Sequence, residues 1–315
     1  MLSTLKATLS PMLVMLLTVL TGFFLNKKNL VLKSTPTVLS KLETYVFVPC
    51  LIIKTFLQYC TVSSLKENYR LIIYCLIALF LAFLISCFLS PLFSKDTYER
   101  NIYQYALVFS NFSFLGNSIV PSILGEEALY LYMLYTLPLT VMAYSWGVFI
   151  LIPAKKDKKS PLSNLINPVF ISIILGIILG LLGFNNIIPA FVKNTISSFS
   201  SCMGPVAMML TGFVIGNYDV LPLFKNKKVW ILSVLKLIVL PLFFVFVLKA
   251  LGADTTTLTL TFFAYGTALG LNTVVFPSAY GGDTTTGASM AMIAQLLCVI
   301  TIPVLYAFLK TMILN

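Results

Sequence analysis

Apolar runs of about 18 residues or more follow one another along this 315-residue chain, and about 20 such residues cross a bilayer as one helix. Hydrocarbon offers backbone groups no partner, so each run must satisfy its own hydrogen bonds by coiling. With 59% hydrophobic and 10% charged residues and a mean hydropathy of +0.98, the chain lies outside the range of soluble globular domains. The expectation is an all-α polytopic membrane protein with ten spans: Ala7–Leu25, Val38–Leu57, Leu71–Phe93, Ile102–Leu124, Ala128–Pro153, Pro168–Phe184, Ile196–Gly216, Val229–Leu248, Leu258–Tyr280 and Ala288–Leu309. The first is followed by Lys27, Lys28 and Lys33 and lacks an Ala-x-Ala cleavage site, so an anchor is expected there and not a removable signal.

Two of these runs are interrupted in the same way. Within the fourth, Ser110–Ser122 reads Ser-Asn-Phe-Ser-Phe-Leu-Gly-Asn-Ser-Ile-Val-Pro-Ser, and within the ninth, Gly266–Ser278 reads Gly-Thr-Ala-Leu-Gly-Leu-Asn-Thr-Val-Val-Phe-Pro-Ser. Glycine weakens a helix, and proline removes a donor and clashes with the preceding turn. One such span would read as a proline kink. A pair at matching positions points to a binding site at mid-membrane. Pro49 in the second span matches Pro205 in the seventh, Pro121 matches Pro277, and Pro138 in the fifth matches Pro303 in the tenth. The order predicts two five-span halves, residues 1–153 and 166–315. With an odd number of spans each, they form an inverted repeat around the hydrophilic linker 154–165, with helices four and nine broken and crossing. Pro49, Pro121, Pro205 and Pro277 are the expected helix breaks. Gly176 and Gly180, four apart, read as a helix-packing pair.

The net charge of +11 resides mostly in short loops, which assigns it to topology and anionic headgroups and not to nucleic acid. Loops after spans one, three, five and seven hold most lysines, including Lys155, Lys156, Lys158 and Lys159 of the linker. The linker is therefore expected on the cytoplasmic side of a plasma membrane, with both termini outside. The six cysteines form no Cys-x-x-Cys pair and read as small apolar residues. Histidine is absent, which removes histidine relays, ligands and triads. With no P-loop and no cluster of catalytic or ligating residues, neither an enzyme, a cofactor nor a metal is expected.

Asn117–Ser118 before Pro121, and Asn272–Thr273 before Pro277, suit the capping of a following half-helix. Two half-helix N-termini meeting at mid-membrane would attract an anion without a fixed charge, and a carboxylate fits best. The candidate substrate site is Ser110, Asn111, Gly116, Asn117, Ser118, Gly266, Thr267, Asn272, Thr273 and Lys236. Charges inside spans are few. Lys41 and Lys54 read as snorkelling side chains. Lys236 would meet either the substrate or a carbonyl of a broken helix. Glu43 is the candidate for proton coupling, or else the salt partner of a lysine.

Tyr45-Val-Phe-Val-Pro49, Asn111 to Pro121, Gly204-Pro-Val-Ala-Met-Met-Leu-Thr-Gly212, Leu235-Lys-Leu-Ile-Val-Leu-Pro241 and Asn272 to Gly281-Gly-Asp283 together resemble the auxin efflux carrier family, especially its bacterial branch of malate or malonate permeases. The resemblance runs nearly the full length. It implies ten helices in a scaffold and a transport domain, and organic-anion transport by an elevator-like movement. The long hydrophilic central loop of the plant carriers is absent. More distantly, the architecture is similar to that of bile-acid/sodium symporters, although acidic residues are missing at the crossing. The expected function is secondary-active or facilitative transport of small organic carboxylates. The rivals are a sodium-coupled symporter of a larger amphipathic anion and a non-transport membrane sensor. The expected partners are a small organic anion and lipid, with a homodimer left open.

Overall fold

The computed structural model describes residues 2–32, 34–152, 167–269, 271–279 and 282–312. The linker 154–165 lies outside the described residues. In chain order the α-helices are α1 (Leu2–Lys27), α2 (Thr35–Leu42), α3 (Val48–Tyr59), α4 (Val62–Phe93), α5 (Thr97–Val108), α6 (Asn117–Leu124), α7 (Glu126–Tyr135), α8 (Leu137–Met142) and α9 (Val148–Leu151). They continue with α10 (Pro168–Leu181), α11 (Ala190–Gly216), α12 (Val220–Phe224), α13 (Lys227–Val234), α14 (Leu240–Ala250), α15 (Thr255–Gly266), α16 (Asn272–Ala279) and α17 (Thr285–Met312). Wider π-helical turns at Glu43–Phe47, Phe112–Gly116, Ala143–Gly147 and Leu235–Val239 lead into α3, α6, α9 and α14. Among the described residues there is no strand.

Side-chain caps mark four of the helix starts. The Ser64 N–H donates to Thr61 Oγ1 at 3.1 Å, the Glu99 N–H to Asp96 Oδ1 at 2.8 Å, the Phe170 N–H to Asn167 Oδ1 at 3.0 Å and the Thr257 N–H to Asp254 Oδ1 at 2.9 Å. Each satisfies a donor that a helix start would otherwise leave free. Among the described residues, seven helices are long and apolar enough to cross a membrane, and the pair Glu126–Tyr135 and Leu137–Leu151, bent by 52°, makes an eighth. The apolar α10 is 14 residues long. It stands where the sixth span is expected, and α15 with α16 where the ninth is.

Glycines fix two intimate helix pairs. A Cβ on Gly22 would fall on the Met209 carbonyl, and one on Gly212 on the Val19 carbonyl, so α1 and α11 touch backbone to backbone. Gly176 and Gly180 do the same for α10 against Ile52 and Phe56 of α3 and Cys60 just after it. Small residues at such contacts let dispersion attraction replace the hydrophobic effect that lipid does not provide.

The prolines are not where the spans break. Pro205 lies inside the uninterrupted α11, Pro121 inside α6 and Pro277 inside α16. Pro49 sits in the first turn of α3. A proline forfeits one backbone bond and crowds one carbonyl. Before Pro49 the chain relieves this by widening one turn, in which the Val48 N–H reaches back to the Glu43 carbonyl. The interruptions lie several residues earlier than Pro121 and Pro277. Phe109 is extended (φ −106°, ψ 143°), Asn111 leaves the helical region (φ −80°, ψ 48°), and Thr267 is extended (φ −74°, ψ 161°).

Candidate functional site

The two breaks meet. The Asn111 N–H donates to the Ala268 carbonyl at 2.7 Å. The Ser110 hydroxyl donates to the Ala264 carbonyl, and the Thr267 hydroxyl donates to Ser110 Oγ at 3.0 Å. Ser110, Asn111, Thr267 and Thr273 are all buried. The backbone groups freed by one break are thus taken up by the other, as a dry interior requires. Asn272 joins the same knot: its Nδ2 donates to Tyr105 Oη at 3.0 Å, tying the start of α16 to α5.

Gly116 is needed for packing. A Cβ there would fall on the Tyr132 hydroxyl, which donates to the Phe112 carbonyl at 3.0 Å. Gly266 is less constrained, since an added Cβ would meet only ordinary contacts with Phe262 and Pro241.

Lys236, carried by the wide turn before α14, is wholly buried. Its ammonium donates to the carbonyls of Leu107 at 2.9 Å and Val108 at 3.2 Å, and lies 5.2 Å from the centre of the Tyr265 ring. Of the two roles open to it from sequence, pairing with carbonyls of a broken helix is the one present. Lys54 pairs with Glu126 at 3.6 Å; both are partly exposed, so the bond contributes little stability. Glu43 is buried in the turn before α3, with neither carboxylate oxygen hydrogen-bonded or ion-paired among the described residues. No described lysine is its salt partner.

Asn117 and Ser118 do something different from the other candidates. They do not cap a half-helix, because α6 continues directly from the wide turn at Phe112–Gly116 and has no side-chain cap. They line a cavity of about 300 Å³, walled also by Thr18 of α1, Leu51 and Lys54 of α3, Ser200 and Ser201 of α11, and Gly204. The Asn117 carboxamide makes no hydrogen bond among the described residues, and its oxygen is buried and unpaired. Gly204 leaves room opposite Ser118, whose Oγ would lie 3.0 Å from an added Cβ. A second cavity, of about 400 Å³, lies between Thr37, Ser40 and Lys41 of α2, Leu210 and Val214 of α11, and Val274 and Val275 of α16. Neither cavity is lined by Ser110, Thr267, Asn272 or Lys236.

Sequence reasoning missed Ser200, Ser201 and Tyr105. The run Ser197-Ser198-Phe199-Ser200-Ser201 inside an apolar span was the signal for the first two. Nothing local singled out Tyr105.

A family model described as membrane transport protein matches the chain twice, over residues 7–161 and 155–306. No curated protein matches it.

Proposed function

We propose that this chain, which belongs to the auxin efflux carrier family of membrane transport proteins, carries small organic carboxylates across the membrane, binding them in the cavity beside Asn117 and Ser118. The observation that carries this is the unpaired Asn117 carboxamide on the wall of a cavity of about 300 Å³. Two of the cavity's sides come from different helix groups: α6 and α7, next to the crossing, and α1, α3 and α11 opposite. The buried unpaired atom is the amide oxygen, which calls for a donor such as the hydroxyl of a hydroxy acid or a protonated carboxyl, while the amide N–H is free for a carboxylate oxygen. A carboxylate would accept from that N–H and, in exchange for Glu126 on the same wall, from the Lys54 ammonium; the Ser118 and Ser200 hydroxyls would join by turning from the Phe114 and Ser197 carbonyls to which they now donate.

The ten-span, two-fold repeat supplies the movement. The packing supports it. The first span on the seventh (α1 on α11) has its inverted counterpart in the sixth on the second (α10 on α3). These four form the scaffold; the other six, with the crossing, form the part that slides. The cavities at α6 and at α16 then serve as the two faces of one alternating site. Transport is proposed to be secondary-active or facilitative. Glu43 is the candidate proton carrier.

The protein is placed in the plasma membrane with its linker cytoplasmic, on the lysine asymmetry. A cysteine at position 158 that reacts from outside would overturn that orientation.

The test is a thermal-shift and vesicle-uptake screen of purified protein against mono- and dicarboxylates, for wild type and Asn117→Ala. At least one carboxylate should stabilise and be taken up by wild type alone. If every acid acts equally on both proteins, the cavity is not the site.

A further inference from the structure

The end of α5 is built like a site for a monovalent cation. Its last carbonyls, Leu107 and Val108, point away from the helix just before the break at Phe109. They form the negative end of a half-helix dipole in the buried interior. The face of the Tyr265 ring closes another side, and aromatic faces attract cations. Carbonyls at the C-terminal ends of discontinuous helices are how membrane carriers hold a coupling cation. Here the position is filled from within the chain. The Lys236 ammonium is bound to both carbonyls, and no carboxylate pairs with it among the described residues. The side chain comes from the wide turn Leu235–Val239, a local insertion of the kind that re-aims a side chain at functional sites.

We infer that Lys236 is a tethered substitute for a coupling cation: its ammonium occupies, on carbonyls of the broken fourth span, the position a sodium ion would take, and makes the crossing complete without one. The consequence for coupling rests on the transport reading above, but the cation position stands on the geometry alone. Lys236 is accordingly a positioning residue. It neutralises and holds the end of α5, and through it the Asn111–Ala268 contact, without touching the substrate.

The experiment needs no substrate. The melting temperatures of purified wild type, Lys236→Ala and Lys236→Met are compared in sodium, lithium, potassium, ethylammonium and N-methyl-glucamine chlorides at equal ionic strength. Wild type should melt at the same temperature in all five. Lys236→Ala should melt lower. At saturating concentration it should recover roughly 2–4 °C in a small cation or ethylammonium relative to N-methyl-glucamine, because a bound cation stabilises the native state alone. Lys236→Met, which fills the volume without a charge, should melt lower and recover nothing. A wild type stabilised by sodium as much as the alanine variant would overturn the inference, as would an alanine variant deaf to every cation. Should the alanine variant not purify, Lys236→Met decides. A melting temperature at or above wild type would show that only packing is at stake; one about 4 °C or more below it would support the ammonium's role. Failure of anion uptake would sink the transport reading and leave these results standing.

Discussion

The backbone N–H of Asn111 donates to the backbone carbonyl of Ala268 at 2.7 Å, so each broken span supplies the partner that the other's break leaves wanting. Two residues 157 apart in sequence, Ser110 and Thr267, join through their hydroxyls beside it. The breaks are therefore one structure. Neither half could hold an open helix in hydrocarbon alone.

The hydroxyl of Ser110 both donates to Ala264 and accepts from Thr267. Ser110→Val leaves two buried groups unpaired, at about 1–3 kcal/mol. A fall of several degrees in melting temperature is expected, against no change for Ser198→Ala, whose hydroxyl bonds its own exposed turn. An unchanged Ser110→Val would show that the crossing tolerates unpaired groups, through water entry.

The two asparagines should part company. Asn272 is held by Tyr105, while Asn117 faces a cavity unpaired. Asn117→Ala should lower carboxylate affinity about ten- to hundredfold, from the loss of a hydrogen bond to a charge worth roughly 1.5–3 kcal/mol, with little change in melting temperature. Asn272→Ala should do the reverse. Equal effects of both on affinity would return Asn272 to the site.

A side chain at Gly212 would collide with the Val19 carbonyl, whereas one at Gly266 meets no close atom. Gly212→Leu should destabilise by about 1–3 kcal/mol or more through overpacking, visible as loss of monodisperse protein on size-exclusion chromatography. Gly266→Ala should purify as wild type. If Gly212→Leu purifies equally well, α1 and α11 are free to separate, and the rigid scaffold is wrong.

The turn that carries Glu43 packs against α2, α3, α10 and α11. The charged groups on those helices, Lys41, Lys54 and Lys193, form no ion pair with it among the described residues. If it carries the coupling proton, Glu43→Gln should abolish the dependence of uptake on an imposed pH gradient while keeping exchange of labelled for unlabelled substrate. Gradient-driven uptake that survives the substitution would remove Glu43 from the coupling.

The sequence by itself determined the medium, the class and the place of the interruption to within one span. Apolar runs leave only helices in lipid, and the paired Gly, Asn and Pro clusters of the fourth and ninth runs marked the spans that open. Gly176 and Gly180 already named the face on which α10 packs. The register of the break was read too late along both spans. Proline's local cost is small enough for a helix to absorb, whereas the opening at Phe109–Asn111 and Thr267 is stabilised by bonds that exist only once the two halves face each other. The same holds for the site. Which asparagine is satisfied and which is left facing a cavity depends on Tyr105 and on the distance to α11. Whether Lys236 meets substrate or carbonyl depends on where α5 ends. Those are facts of packing between residues far apart in the chain, and no local pattern carries them.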